Sequence, residues 1–324
     1  MSTAPFLTIA ETLKARYGAR TYKLTLSGGR TCPTRDGTYG PKKGWGGCTF
    51  CDVHGSASYF ANEHRALSVT EQMERASVMV RKKFGAEKYI AYFQSYTTTH
   101  LDIQEYRPRY DTAVAYPGVV RLAVGTRPDC LPPEVLDFLC SYLDRVDVQL
   151  ELGVQSFNDA VLDWYDRGHD AACAIDALKR AIHRSHELEA VETRHLLDVS
   201  AHLIFGAPQE NESDLVRTAG ILNRIGVHGV KLHHLHVLKN TKLEKLYKRE
   251  EFQLLEMEPY LERVAIFLRH LDPGIAIHRV HGTAPHFDEL VGPEWTKWRA
   301  RPNDYLKKMM RERGWRQGDL LRRP

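Results

Sequence analysis

Residues 196–226 read LLDVSAHLIFGAPQENESDLVRTAGILNRIG and contain the unit from which the rest of the chain is built. The first ten residues are mostly apolar and predict a strand over 196–205. Apolar residues then recur at Leu215, Val216, Ala219, Leu222 and Ile225, one face of a helix over 213–225. Ser213 reads as its cap and Gly226 as its stop. The same alternation runs outward in both directions. Strands are expected at 21–26, 88–94, 119–124, 146–153 and 230–235. Helices are expected at 70–84 (Thr70 as cap, Gly85 as stop), 103–114, 132–143 and 171–184. The prolines that open 132–143 cost nothing there, because the first helical N–H groups have no partner anyway. Six strand–helix units in series predict a parallel sheet with right-handed crossovers, curled toward a barrel. The fold class is therefore α/β, a partial (β/α)6 TIM-type barrel over 21–240. It has a lead-in at 1–20 and a C-terminal extension over 241–324, which opens with a helix at 259–271 and a short strand at 275–280. In such architectures chemistry gathers at the C-terminal ends of the strands.

Composition narrows the function classes. The 324 residues are 43% hydrophobic and 27% charged, the balance of a globular protein, which excludes disorder. No apolar run approaches the roughly 20 residues needed to cross a bilayer, so no membrane partner is expected. The start lacks a basic segment followed by an apolar one, so a soluble cytoplasmic protein is expected. The net charge is +4, but residues 295–324 hold ten Lys/Arg against three Asp/Glu. A basic tail with interleaved Trp295, Trp298 and Trp315 has the composition of an RNA surface. It equally fits an amphipathic helix that packs Trp298, Tyr305, Met309 and Met310 inward and turns its cations to water.

Six cysteines in a reducing compartment argue against a disulfide framework. Three of them, Cys32, Cys48 and Cys51, share the loop after the first strand with spacing CX15CX2C. Glycines at 37, 40, 44, 46 and 47 let that loop fold tightly. Three thiolates can hold a [4Fe-4S] cube and leave one iron open to chelation. The same three with His54 would equally make a tetrahedral zinc site. Position at a strand end, on the catalytic face, favours the cluster.

Other strand ends carry further candidates. Glu151 lies within the fourth strand, either paired in the barrel or part of the site. Cys130 follows the third strand and is a candidate working thiol, while Cys140 and Cys173 fall in helices as core thiols. In His233-His234-Leu235-His236, strand alternation puts His234 and His236 on one face and His233 on the other. His234 and His236 are therefore candidate substrate or proton-shuttle residues, with His202 and His281 near other strand ends.

The motifs CPTRDGTYG with GGCTFC, YFQSYTTT, GTRPDCLP, ELGVQS, RGHD, HLIFGAP and KLHHLHVLKNTKLEKLY occur in that order. Together they resemble the radical S-adenosylmethionine (radical SAM) enzymes, specifically a bacterial subfamily with a widened first cysteine gap. That subfamily is related to oxygen-independent coproporphyrinogen oxidase and the Elongator catalytic subunit. The resemblance covers about residues 20–300. It implies a [4Fe-4S] cluster on Cys32, Cys48 and Cys51, with S-adenosylmethionine beside Phe50, Gln94, Ser95, Thr126, Glu151, Gln155 and Arg167. Phe50 would flank the adenine, and Gln155 and Arg167 would hold the ribose and carboxylate. Relatives carry a Gly-Gly-Glu-like turn where this chain has Gln94 and Ser95. They also carry Gly-Leu-Pro-Gly where it has Gly206-Ala207-Pro208-Gln209. The resemblance further implies a one-electron donor such as a flavodoxin or ferredoxin, and transfer RNA as substrate, through modification of a wobble uridine. Two alternatives stay open: a radical SAM enzyme acting on a small metabolite or protein, and a zinc-stabilised nucleic-acid-binding barrel without radical chemistry.

Overall fold

The computed structural model describes residues 4–28, 31–38, 46–52, 54–55, 58–100, 102–191, 193–284 and 287–321. Gly40 and Gly44 of the cysteine loop lie outside the described residues, as do Arg322 and Arg323 of the tail. The strands are β1 Thr21–Leu26, β2 Lys88–Phe93, β3 Val119–Thr126, β4 Asp147–Gln155, β5 Leu197–Phe205, β6 Gly229–His234, β7 Val237–Leu238, β8 Ala276–Arg279 and β9 Leu290–Gly292. The helices are α1 Ile9–Tyr17, α2 Tyr59–Glu63, α3 Val69–Phe84, α4 Ile103–Ala115, α5 Pro133–Cys140, α6 Asp159–Trp164, α7 Ala171–Ala190, α8 Glu212–Ile225, α9 Lys242–Lys248, α10 Met257–His270 and α11 Arg301–Glu312.

One parallel sheet runs β1-β2-β3-β4-β5-β6-β8, a curled half-barrel with helices on its outer side. The six expected strands are all present, and the short strand expected near 275–280 joins the same sheet as its seventh member, beside β6. β7 and β9 form a separate antiparallel pair.

β4 shows why the barrel interior is reactive ground. All nine residues of DVQLELGVQ are buried, yet every second one is polar or glycine. Val148, Leu150, Leu152 and Val154 join the apolar core between sheet and helices. The intervening Gln149, Glu151 and Gln155 therefore face into the barrel, where side chains of other strands must satisfy them.

Local chemistry moves several boundaries. α3 is capped by Ser68 and not by Thr70, because Ser68 and Glu71 form a reciprocal capping box. Likewise α8 is capped by Asn211 paired with Asp214, which displaces Ser213 from that role. The helix expected over 132–143 ends at Cys140 and tightens into a 3-10 turn, Ser141–Asp144. The first helix, α1, was not anticipated. It closes the N-terminal mouth of the barrel, where the Asp147 carboxylate accepts from Arg16 at 2.9 Å and from the Leu196 N–H at 3.0 Å.

Candidate functional site

The loop from β1 folds the cysteines back over the C-terminal ends of the strands. Cys32 and Cys48 each accept backbone N–H bonds, from Arg35 at 2.8 Å and from Cys51 at 3.0 Å. The Cys48–Cys51 stretch is strapped on both sides. Thr49 N–H donates to Tyr165 O, and Thr49 O accepts from Leu243 N–H, both at 2.9 Å. None of the three is in a disulfide, and all three line one cavity of about 380 Å³.

Cationic side chains surround the thiols. Arg167 Nη1 lies 3.5 Å from Cys48 Sγ and Arg127 Nη1 4.0 Å from it. Burial raises the Cys48 thiol, but the two guanidinium groups more than reverse this and hold it below its ordinary value. Arg35 Nη2 lies 3.1 Å from Cys51 Sγ, yet burial pushes that thiol up to about 12. Cys32 is also raised by burial, against a contact with Thr97 Oγ1 at 3.0 Å.

Phe50, Gln94, Thr126, Glu151, Gln155 and Arg167 line the same cavity as the cysteines. Phe50 packs edge-on against Tyr165. Gln155 sits at φ +69, a left-handed backbone rare for a residue with a side chain, at the break in β4–β5 register. Its buried Oε1 has no protein partner. A β-carbon on the neighbouring Gly153 would come within 2.8 Å of Arg167 Nη2, so only glycine lets that guanidinium reach Gly153 O. Two candidates fall elsewhere. Ser95 is turned toward the Gly28 N–H at 3.3 Å and does not line the cavity. Cys130 opens on a separate, more open depression with Thr99, His100 and Asp129, where burial raises its thiol strongly. This leaves Cys130 un-ionised and unsuited to nucleophilic work at neutral pH.

Glu151 stands on the cavity floor with both oxygens engaged. Lys23 and Tyr92 hydrogen-bond it, Lys231 Nζ lies at 2.7 Å and Gln149 Nε2 at 3.3 Å. Burial opposes its charge, but Lys23, Lys231 and His278 hold it well below the usual carboxylate range. Burial pulls Lys231 below its ordinary value.

The histidines group differently from the strand-alternation expectation. β6 ends at His234, so alternation stops there and the chain turns. His234 borders the cavity, its ring 5.4 Å from that of His236, while it stacks on Trp295 at 4.0 Å with Nε2 2.8 Å from Thr296 Oγ1. His233 faces inward with Lys231. Its ring lies 4.7 Å from that of His236 and 6.0 Å from that of His202. His236 thus lies beside both His234 and His233, and all three line the cavity, where strand alternation had set His233 apart. His281 is turned to the Trp298 carbonyl at 3.2 Å. Sequence reasoning missed Lys23, Tyr92, Lys231, Arg127 and Arg279. The two lysines did leave a signal, as charges in otherwise apolar strands.

In the tail, Leu306, Met309 and Met310 of α11 are buried, while Lys308 and Arg311 are exposed. Trp295 is 2% exposed and Trp315 is flanked by Arg269 and Arg313, so neither is free to stack on a base. Trp298 is 38% exposed, with Arg301 over its ring at 4.2 Å.

Among the described residues, no three His, Cys, Asp or Glu side chains are arranged to hold one metal ion. His54 Nε2 faces Glu289 at 3.6 Å. A single zinc on Cys32, Cys48, Cys51 and His54 therefore does not fit. A four-iron cube does, because each thiolate binds a different iron and the sulfurs need not converge on a point.

A parallel half-barrel with three cysteines outside any disulfide at its C-terminal mouth defines the class. The radical SAM superfamily model matches residues 44–222, and a radical SAM C-terminal domain model matches 227–311. The chain belongs to the radical SAM superfamily, whose members use a [4Fe-4S] cluster and S-adenosylmethionine. It is similar to protein YhcC of Escherichia coli K12, at 38% identity over 96% of this chain and 94% of that one. It is also similar to the uncharacterized protein YtqA of Bacillus subtilis, at 31% identity over 96% and 91%. In fold alone it resembles Elp3 of the archaeon Methanocaldococcus infernus, with a TM-score of 0.68 at 16% identity, over 92% of this chain and 64% of that one. No helix among the described residues is long and apolar enough to cross a membrane.

Proposed function

We propose that this radical SAM enzyme abstracts hydrogen from an RNA substrate after reductive cleavage of S-adenosylmethionine. Cys32, Cys48 and Cys51 would hold the cluster, with the cofactor against Phe50, Gln94, Thr126, Gln155 and Arg167. Bound there, the pair supplies one-electron cleavage of a C–S bond and a carbon-centred radical able to take hydrogen from an unactivated carbon. The chain's own residues orient and exclude. The Arg167 guanidinium keeps N–H groups free to clamp a carboxylate beside its bonds to Gly153 O and His169 Nε2. The unpartnered Gln155 oxygen offers an acceptor to a ribose hydroxyl. The Arg127 and Arg167 charges favour the Cys48 thiolate. A one-electron donor, such as a flavodoxin or ferredoxin, completes the requirement.

The observation that carries this reading is the set of three cysteines, none in a disulfide, that line one cavity with the unpartnered buried Gln155 oxygen. RNA as substrate rests on less. The Elongator kinship favours transfer RNA modified at a wobble uridine, and the exposed Trp298–Arg301 pair offers a stacking face. Anaerobic reconstitution with iron and sulfide, followed by metal counting, tests the cofactor. About four irons are expected in the native chain, with a large loss in Cys48→Ala, and one zinc without iron contradicts the proposal. Retention on immobilised transfer RNA that falls as salt rises tests the substrate. Passage in the void volume at low salt refutes RNA and leaves a small metabolite or a protein as substrate.

A further inference from the structure

Most cations that line the cavity have a protein counter-group. Arg35 and Arg167 lie against cysteine sulfurs, Arg127 pairs with Asp129 at 2.7 Å and Lys231 with Glu151. Arg279 differs. It stands at the end of β8, and its Nε donates to Leu232 O at 3.2 Å. One Nη2 hydrogen meets His202 Nε2 at 3.4 Å. No carboxylate reaches it within ion-pair distance among the described residues, and three of its five N–H groups have no acceptor there. The guanidinium stays charged and the residue is only half-buried, so its spare N–H groups are open to the cavity it lines. Desolvation lowers Arg279 below its ordinary value.

The neighbours complete a receptor. His202, His233, His236 and Thr283 line the same wall, and Arg299 stands exposed at the mouth. Burial holds His236 at about 4 and His202 and His233 well below their ordinary value, so near neutral pH they are uncharged rings. The proton of neutral His233 is donated to His234 O at 2.7 Å, and that of His202 sits on Nδ1 because its Nε2 accepts from Arg279, so the unpartnered His236 is the ring that can offer its N–H to a ligand. Glu151, the carboxylate on this part of the floor among the described residues, is spent on two lysines.

Building on the radical SAM reading, we infer that the β6–β8 wall of the cavity is a subsite for an anionic group of the substrate, a phosphate or a carboxylate. Arg279 is its principal binder, held in place by His202. The subsite belongs to β6 and β8, at the opposite edge of the sheet from β1, which leads into the cysteine loop, so it is assigned to the substrate and not to the cluster.

The test is thermal melting of the reconstituted holoprotein with saturating S-adenosylmethionine, which occupies the cofactor's own carboxylate site. Inorganic phosphate and succinate are titrated separately at constant ionic strength, with chloride as control. The expected result is a saturable rise in melting temperature with one or both anions. The rise is lost in Arg279→Gln and retained in part in Arg279→Lys, which keeps the charge if the glutamine variant folds poorly. Response to phosphate alone marks a phosphate-bearing substrate, and response to succinate alone a carboxylate. No saturable rise, or the same rise in Arg279→Gln, overturns the inference. The readout needs no turnover, so its failure leaves the radical reading to its own test.

Discussion

Replacing Glu151 by Gln keeps the shape of the cavity floor and removes its one negative charge. In the native chain that carboxylate faces Lys231, whose side chain is 7% exposed, and Lys23, whose side chain is 27% exposed. Breaking a buried ion pair by removing one partner costs about 3–5 kcal/mol, because a buried charge is left uncompensated. Lys23 can swing part of its ammonium into solvent, so the low end applies, about 3 kcal/mol. That is roughly a 150-fold loss in the folding equilibrium at 1.36 kcal/mol per decade. The unfolding entropy of about 2.1 cal/mol/K per residue comes to ~0.7 kcal/mol/K over this chain, so melting should fall by about 4 °C. Chemical denaturation followed by circular dichroism measures the loss. The second arm is Glu151→Gln with Lys231→Met, which removes both charges. Their coupling should return at least ~1 kcal/mol relative to the sum of the single variants. A single variant within ~0.5 kcal/mol of native, or strictly additive losses, would refute the idea that the floor is an ion network.

Three further expectations follow from particular side chains. Burial alone would raise Asp147, but hydrogen bonds from Arg16 and Tyr17 hold it at about 2, below its ordinary 3.8. Its stabilisation is therefore complete above pH ~4 and lost as pH falls toward 2. With partial solvent screening this amounts to about 1–2 kcal/mol, and acid titration of Asp147→Asn should lack that part of the decline. Gln155→Gly relieves the left-handed backbone strain while deleting the amide, so equilibrium dialysis should show S-adenosylmethionine binding weakened roughly tenfold. Its denaturation midpoint should stay unchanged or rise, and a lower midpoint with normal binding would contradict that assignment. Trp298→Ala with Arg301→Ala should reduce transfer RNA retention while changing stability by less than ~0.5 kcal/mol, since both are exposed. Unchanged retention removes that face from the RNA account.

Much of this architecture was legible because it is written in local pattern. The β5–α8 unit shows its alternation, its helical face and its Gly226 stop within some thirty residues, and repetition of that unit gave the parallel sheet. The cysteine loop was legible because three ligands fall within twenty positions. The floor network was not. Lys23, Tyr92, Glu151 and Lys231 come from four different strands, and only the curl of the sheet brings them together. That His233 joins His234 and His236 was missed because strand periodicity was carried past His234, where β6 ends. Cys130 misled in the opposite way. It stands after a strand end, yet Pro128–Cys130 turns it away from the cavity. The tail's composition suited either an RNA surface or a packed helix. Burial of Trp295, Leu306, Met309 and Met310 shows that most of its apolar content is spent on packing.

The central claim is that this cavity cleaves S-adenosylmethionine. The most direct measurement is chromatography of the products after the oxygen-free, iron-reconstituted protein is mixed with S-adenosylmethionine and dithionite. The account predicts 5′-deoxyadenosine and methionine in equal amounts from the native chain and none from Cys48→Ala. A protein that carries its four irons yet forms no 5′-deoxyadenosine, or forms as much without Cys48, contradicts it.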